Sequence, residues 1–350
     1  MQKKVIAIDV GYGNTKVVWG HGKDKMSKER WGEMSFTSIA PRVVADEHKS
    51  SLKANPDKIL IELDGNRYYA GPAASKGIES RMLEADYIKS DLHEIMLRAS
   101  IHIAMREIGE VFTEIDVLVL GLPVSGFLNR LEDLREIGMK PREIPVPEKL
   151  RGPNVPDFVT VTAKNVMITA QPYGGLRYAA QNLPESDPLF DEGGLAMVID
   201  PGYRTFDWFI ANGFKPEMKL SGSFDGGSIN ILRQVSQQIG YDTGVGSLEF
   251  DLVEEGLQTG SINLPYKKID MQPYGKTVLE AARSEVMTFL TRNDVNKWRL
   301  NRVFLTGGAA SYYEGALKQL MPNYEITRLD NSLMANARGY WLLGCDAIED

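Results

Sequence analysis

Two short stretches of the sequence combine a carboxylate with a glycine turn, a pattern that suits the binding of phosphate and a divalent cation. Ile8–Lys16 reads IDVGYGNTK, and Ile199–Asp207 reads IDPGYRTFD. Glycine lets the backbone approach a ligand closely, and successive backbone N–H groups can form a concave site for phosphate oxygens. An aspartate alone would repel phosphate, so Asp9 and Asp200 are predicted to hold Mg²⁺, which prefers oxygen ligands and bridges to phosphates.

A third stretch supports this interpretation. Val303–Met321 reads VFLTGGAASYYEGALKQLM, which indicates a strand, a Gly-Gly turn and a helix. This arrangement would suit a binding site for a base and ribose. Each stretch taken alone is also typical of an ordinary structural turn, in which an aspartate such as Asp9 only caps a hairpin. The repetition of the turn favours a ligand site over that alternative.

The elements that must position these residues alternate between strands and helices. β-branched residues around the Gly/Asn cluster GYGN predict one hairpin, and GGLAMVIDPGYRTFDWFIANG repeats its strand–turn–strand pattern. Asp64-Gly65 predicts a further hairpin. His93–Gly109 has helical apolar spacing and ends at a glycine. A continuous apolar run, EIDVLVLGL, predicts a buried strand, whereas REIPVPEKLRGPNVPD is proline-rich and predicts irregular structure.

Composition restricts the class of protein. The chain has 350 residues, which suggests two domains, and a net charge of −7, which argues against direct binding of nucleic acid. Its one cysteine, Cys345, cannot form an internal disulfide, so a reducing compartment, the cytoplasm, is expected. No apolar run approaches the ~20 residues that span a bilayer, so no membrane contact is expected.

The ordered motifs resemble those of the actin, heat-shock-chaperone and sugar-kinase ATPase superfamily. DVGYGNTK and DPGYRTFD resemble its two phosphate motifs, and LTGGAASYY resembles its adenosine motif. TAQPYGGLRYA and DGGSIN resemble its first and second connecting segments. NRYYAGPAA, LGLPVSGF and ANARGYWLLG are similar to segments of plasmid-segregation actins of the ParM/StbA type. The chain departs from the chaperone pattern at Tyr203, Arg204 and Gln171, where chaperones carry Gly, Gly and Glu.

The resemblance implies an α/β, actin-like (ribonuclease H-like) fold. It would have two similar domains, each with a mixed five-stranded sheet flanked by helices, and a nucleotide cleft between them. Domain I is expected at 1–172 plus about 325–350, with a small inserted subdomain at about 20–100. Domain II is expected at 173–324.

The resemblance assigns the first hairpin to the phosphates of the nucleotide. Lys16 would reach the β- and γ-phosphates as a point charge, although it could instead be a solvent-facing strand lysine. Gln171 would position the attacking water, or it could satisfy backbone groups at the end of a strand. The predicted nucleotide-binding residues of this hairpin are Asp9, Gly11, Tyr12, Gly13, Asn14, Thr15 and Lys16.

The second hairpin is assigned to the γ-phosphate and the metal. The resemblance implies that Asp200 joins Asp9 at Mg²⁺ through water, and that Gln171, Asp200 and Asp207 are catalytic. Asp207 would either orient the attacking water or only order the hairpin. Glu280–Glu285 could offer a polar group to the ribose, although the sequence favours a solvated helix face there. The other predicted nucleotide-binding residues are Gly202, Tyr203, Thr205, Gly226, Gly227, Gly307, Gly308 and Ala309.

Three functions compatible with the resemblance remain open. The first is a polymerising actin-like ATPase that uses Mg²⁺ and ATP (or GTP) and segregates plasmid DNA through a DNA-binding adaptor of the ParR type. The second is a small-molecule, sugar-type kinase, for which no substrate-binding motif is found. The third is another actin-like cytoskeletal protein, or a nucleotide-binding scaffold without fast turnover. A chaperone-like switch is disfavoured because little chain follows the ATPase motifs.

Overall fold

The computed structural model describes residues 3–22, 31–43, 55–74, 86–191 and 193–349. The chain divides into two compact units, one of Met1–Asn182 with Met334–Asp350 and one of Leu183–Leu333. The elements of the first part of the chain are β1 (Lys4–Val10), β2 (Asn14–His21), β3 (Gly32–Thr37), β4 (Ile59–Leu63), β5 (Asn66–Ala70), α1 (Asp91–Ile108), β6 (Glu114–Leu122), α2 (Phe127–Met139), β7 (Arg142–Pro145), β8 (Phe158–Ala170) and α3 (Gln171–Ala180). Those of the second part are β9 (Leu195–Pro201), β10 (Thr205–Asn212), β11 (Lys215–Pro216), β12 (Gly222–Asp225), α4 (Ser228–Thr243), α5 (Phe250–Thr259), β13 (Ser261–Leu264), β14 (Lys267–Asp270), α6 (Gly275–Arg292), β15 (Arg302–Leu305), α7 (Ala310–Leu320), β16 (Ile326–Arg328) and α8 (Ala335–Glu349).

The first unit is built on a mixed sheet with the strand order β3-β2-β1-β6-β8-β7. The strands β1, β2 and β3 pair antiparallel, β1, β6 and β8 pair parallel, and β7 pairs antiparallel with β8. The strand β1 is buried almost throughout, as expected for a strand in the middle of a sheet covered on both faces. The helices α3 and α8 pack against each other, which places α3 in this unit.

The second unit repeats this arrangement. Its sheet has the order β11-β10-β9-β15-β16, with β12 also paired to β10. As in the first unit, an antiparallel hairpin supplies two strands, and the first of them, β9, pairs parallel with a later strand, β15. The unit has its own core, in which Phe206, Phe289 and Tyr313 are fully buried.

The predicted hairpins are confirmed, and the predicted number of strands is wrong in detail. The described part of each main sheet has six strands, where five were expected. In the first unit the additional strand is β7, within a proline-rich segment that predicted irregular structure. A proline can end an edge strand without loss of a ladder hydrogen bond, and Pro145 ends this one.

The expected inserted subdomain at about 20–100 lies partly outside the described residues. Within its described part, β3 belongs to the main sheet, and β4 and β5 form the hairpin predicted at Asp64-Gly65. Ile61 of β4 is fully buried in the core of the first unit, where β4 contacts α1.

Candidate functional site

The first hairpin brings Asp9, Lys16 and Gln171 together. Asp9 and Lys16 lie opposite each other on β1 and β2, and Lys16 Nζ lies 3.0 Å from Asp9 Oδ2. Gln171, the first residue of α3, donates from Nε2 to Asp9 Oδ1 over 2.9 Å. The side chain of Lys16 is only 13% exposed and that of Asp9 only 3%. Lys16 is therefore not a solvent-facing strand lysine, and Gln171 bonds a carboxylate rather than the backbone.

The turn of this hairpin is tight and specifically requires glycine at its first position. The Gly11 N–H donates to Asn14 O over 3.2 Å. A Cβ at Gly11 would lie 2.9 Å from that same oxygen and 3.1 Å from Lys16 Nζ. A side chain here would therefore displace either the turn or the lysine.

Ser38 and Tyr87 contact this turn from distant positions in the sequence. Ser38 Oγ donates to Gly11 O over 2.6 Å, and the Tyr87 hydroxyl donates to the same oxygen over 3.1 Å. The Thr15 hydroxyl lies 2.9 Å from Ser38 Oγ in a fully buried position, so it is directed into the protein. Burial raises the pKa of Tyr87, which keeps its hydroxyl protonated as a donor. Neither residue was among the predicted site residues, and no local signal marks them.

The second hairpin carries two carboxylates where the first carries a carboxylate and a lysine. Asp200 and Asp207 lie opposite each other on β9 and β10, the same register position that Asp9 and Lys16 occupy. Both aspartates are buried. The Gly202 N–H donates to Thr205 O over 2.8 Å, which closes a three-residue turn like that of the first hairpin. The second hairpin therefore places two carboxyl groups at one register position of β9 and β10.

The Gly226-Gly227 turn packs directly on the second hairpin. Gly227 has φ of +92°, and a Cβ there would lie 2.5 Å from Gly202 O. Ser228 and Ile229, the first residues of α4, donate their N–H groups to the carbonyl oxygens of Gly202 and Tyr203 over 3.0 and 2.9 Å. The hairpin thus caps the start of α4.

The Gly307-Gly308 turn lies against Asp200. Gly307 is buried with φ of +90°, and a Cβ there would clash with Asp200 Oδ1. The Ala309 N–H donates to Pro201 O over 3.1 Å, which ties the turn to the end of β9. Gly308 is exposed, and the nearest atom to a Cβ there would be Leu333 Cδ1 at 3.3 Å. Only Gly307 therefore has to be glycine for Asp200 to keep its place.

The sequence favours a solvated helix face for Glu280–Glu285, and the structure corrects this for Glu285. Its carboxylate accepts hydrogen bonds from Gly227 N, Asn230 Nδ2 and the Tyr313 hydroxyl over 2.9, 2.8 and 2.7 Å. Glu280 does lie on the exposed face, near Lys276. The two glutamates lie five residues apart on α6, so they fall on different faces of the helix, and only Glu285 joins α4, α6 and α7.

All predicted site residues lie at one of the two hairpins or in the turns packed on the second. Those at the first hairpin are Asp9, Gly11, Tyr12, Gly13, Asn14, Thr15, Lys16 and Gln171. Those at the second are Asp200, Gly202, Tyr203, Thr205, Asp207, Gly226, Gly227, Gly307, Gly308 and Ala309. Among the described residues no group of three or more His, Cys, Asp or Glu could hold a metal ion. A one- or two-carboxylate donor set suits Mg²⁺, which keeps several waters and takes further oxygens from phosphate.

Two family models match the chain in succession. The model for the N-terminal domain of actin-like proteins matches residues 7–174. The model for the C-terminal domain of the archaeal actin homologue MreB-like proteins matches residues 198–319. The chain belongs to the actin-like superfamily. The resemblance predicted from the phosphate motifs is thereby confirmed.

Solved structures of actin-like proteins share the fold along the whole chain. An archaeal actin homologue is 21% identical with a TM-score of 0.75, and covers 99% of this chain and 98% of its own. A ParM filament structure from Clostridium botulinum is 20% identical with a TM-score of 0.73, over 99% and 100% of the two chains. Bacillus thuringiensis ParM with ATP is 14% identical with a TM-score of 0.67, over 100% of both chains. At these identities the likeness establishes the actin-like fold.

The curated proteins include no match to the chain in sequence. None of the described helices combines the length and the apolar character that crossing a membrane requires.

Proposed function

We propose that this actin-like chain binds and hydrolyses a nucleoside triphosphate, ATP or GTP, together with Mg²⁺. The observation that carries the proposal is the repeated hairpin, with Asp9 held by Lys16 and Gln171 in one copy and Asp200 opposite Asp207 in the other. Two copies of a glycine turn with a buried carboxylate at the same register position are suited to phosphate and its metal.

The two hairpins have different roles in this proposal. The N–H groups of Gly11 and Gly202 close their own turns. The backbone N–H groups of Tyr12–Thr15 and of Tyr203 and Thr205 would therefore bind the phosphate oxygens, and Lys16 would supply a positive point charge. Asp9 and Asp200 would hold Mg²⁺ through its waters, and the ion would neutralise charge on the phosphates.

Gln171 is the residue proposed to position the attacking water. An amide is a poor general base, which fits a reaction dominated by positioning and electrostatic stabilisation. Its hydrogen bond to Asp9 fixes its side chain beside the carboxylate. Asp207 either orients water or maintains the second hairpin, and its position opposite Asp200 is compatible with both.

We further propose that the nucleotide controls head-to-tail assembly of identical chains into a filament, with hydrolysis weakening it. Support comes from the superfamily and from structural similarity to a ParM filament protein. By analogy the filament would segregate plasmid DNA through a DNA-binding adaptor of the ParR type. The net charge of −7 favours contact with DNA through such a partner over direct contact.

Pelleting and light scattering with simultaneous phosphate release test this proposal. The chain should assemble with Mg-ATP or Mg-GTP, and the assemblies should decay as phosphate appears. With Gln171→Ala, nucleotide should still induce assembly, and phosphate release should slow by about 10- to 1,000-fold, the range typical for loss of one positioned catalytic group.

Nucleotide hydrolysis without assembly at any attainable concentration would contradict the filament and direct attention to small hydroxyl substrates. Assembly to the same extent with and without nucleotide would contradict the proposal that the nucleotide controls filament formation.

A further inference from the structure

We infer that Ser38 and Tyr87 are positioning residues that orient the peptide groups of the first hairpin turn for phosphate. The inference rests on the proposed nucleotide-binding function and adds two residues to it. Ser38 lies 27 residues beyond Gly11 in the sequence, and Tyr87 lies 76 residues beyond it. Both bond one atom of the turn, the carbonyl oxygen of Gly11.

The contacts hold two carbonyl groups of the turn on one side. Gly11 O accepts from Ser38 Oγ at 2.6 Å and from the Tyr87 hydroxyl at 3.1 Å. Gly13 O accepts from the backbone N–H of Ser38 at 3.0 Å. Ser38 therefore fixes both ends of the Gly11–Gly13 segment, and Tyr87 adds a second bond at its start.

Fixed carbonyl groups determine where the following N–H groups point. In a planar trans peptide the C=O of one residue and the N–H of the next point in opposite directions. The bonds to Gly11 O and Gly13 O thus direct the N–H groups of Tyr12 and Asn14 away from Ser38. A turn composed largely of glycine has many alternative conformations, so these contacts select the one suited to an anion.

The two residues lie in closely packed surroundings, with Ser38 fully buried and Tyr87 only 7% exposed. Tyr87 stacks on Tyr12 with ring centroids 4.4 Å apart and an interplanar angle of 26°, and it meets His93 edge-on at 5.7 Å. The Ser38 hydroxyl donates its one hydrogen to Gly11 O, so Thr15 must donate to Ser38. The turn is therefore bound by a preorganised, buried network rather than by mobile surface groups.

Calorimetric titration of the full chain with Mg-ATP and with Mg-GTP tests the inference. Tyr87→Phe removes the hydroxyl and keeps the ring on Tyr12, and Ser38→Ala removes the other donor. Each should weaken the affinity for the bound nucleotide by about two- to tenfold, the range that corresponds to one net hydrogen bond. Ser100→Ala is the matched control. Ser100 belongs to the same unit, and its fully buried hydroxyl has no hydrogen-bond partner among the residues that the structure describes.

The melting temperature of the ligand-free variants separates positioning from a structural role. If the two residues are purely structural, their variants should have a lower melting temperature than the control. Their dissociation constants, measured at a temperature well below melting, should equal that of the control. That outcome in both variants would overturn the inference and leave the proposed function intact. If the unaltered chain binds neither nucleotide, both the proposed function and the inference are overturned.

Discussion

Asp9 and Asp200 show how the same residue at the same register position can be stabilised in different ways. Asp9 pairs with Lys16 of the same hairpin and accepts a hydrogen bond from the amide of Gln171, the first residue of α3. Asp200 instead faces Asp207, and the backbone of Gly307 packs against it. The two hairpins therefore share a fold and a register but place different side chains opposite the equivalent aspartate, a lysine in the first and a second carboxyl group in the second.

A substitution at Gly307 tests whether glycine is required there to keep Asp200 in its position. Gly307→Ala should destabilise the protein by about 1–3 kcal/mol, because alanine must adopt a positive φ and its Cβ clashes with Asp200 Oδ1. Chemical denaturation measures this loss directly. The same substitution should also weaken nucleotide binding, since relief of the clash displaces the carboxylate.

Gly308→Ala is the matched control for that experiment. Gly308 is the adjacent glycine, it is exposed, and a Cβ there would be 3.3 Å from one flexible leucine methyl group. Its free energy of unfolding should change by less than about 0.5 kcal/mol, as for an ordinary surface substitution. Equal losses in the two variants would show that Gly307 is not specifically required.

At the scale of elements, the hairpins could be predicted from sequence because their signals are local. Each has a seven-residue and an eight-residue strand with short apolar runs, and the two strands flank a three-residue turn that begins with glycine. The contacts of Ser38, Tyr87 and Glu285 could not be predicted in this way. They depend on which elements pack together, and the partner groups are separated by 27 to 76 residues of sequence.

Two buried histidines of α1, His93 and His102, should make the stability of the protein depend on pH. Burial, with a further contribution from Arg142, lowers the pKa of His93 to about 3, and burial lowers that of His102 to about 4. In the unfolded chain both titrate near pH 6.5. Between those values the unfolded chain binds more protons, so the stability present above about pH 6.5 is lost as the pH falls.

Urea unfolding at pH 7 and pH 5 measures this effect. The free energy of unfolding should fall by up to about 1.4 kcal/mol per pH unit for each histidine below pH 6.5. His93→Leu should remove about half of that slope, and the remainder should belong to His102. An unchanged slope in His93→Leu would show that His93 is not neutral in the folded chain.

At the scale of the whole molecule, the order of motifs was enough to predict the superfamily and the twofold repetition of a sheet with a leading hairpin. The number of strands was underestimated because short edge strands such as β7 and β12 have only four residues each and little periodicity. The boundary between the units was expected near 172, whereas the first compact unit continues through Asn182. The helix α3 remains with the first unit because it packs on α8, which the sequence places more than 150 residues later.

Equilibrium binding of Mg-ATP and Mg-GTP to the full chain tests the central claim most directly. One nucleotide should bind per chain, chelation of Mg²⁺ should weaken the binding, and Lys16→Ala should weaken it by about tenfold or more, as expected for a lost charge-assisted contact. Two results would contradict the assignment of the two hairpins to a magnesium nucleotide. One is that the chain binds neither ATP nor GTP, and the other is that its affinity is unchanged both by chelation of Mg²⁺ and by Lys16→Ala.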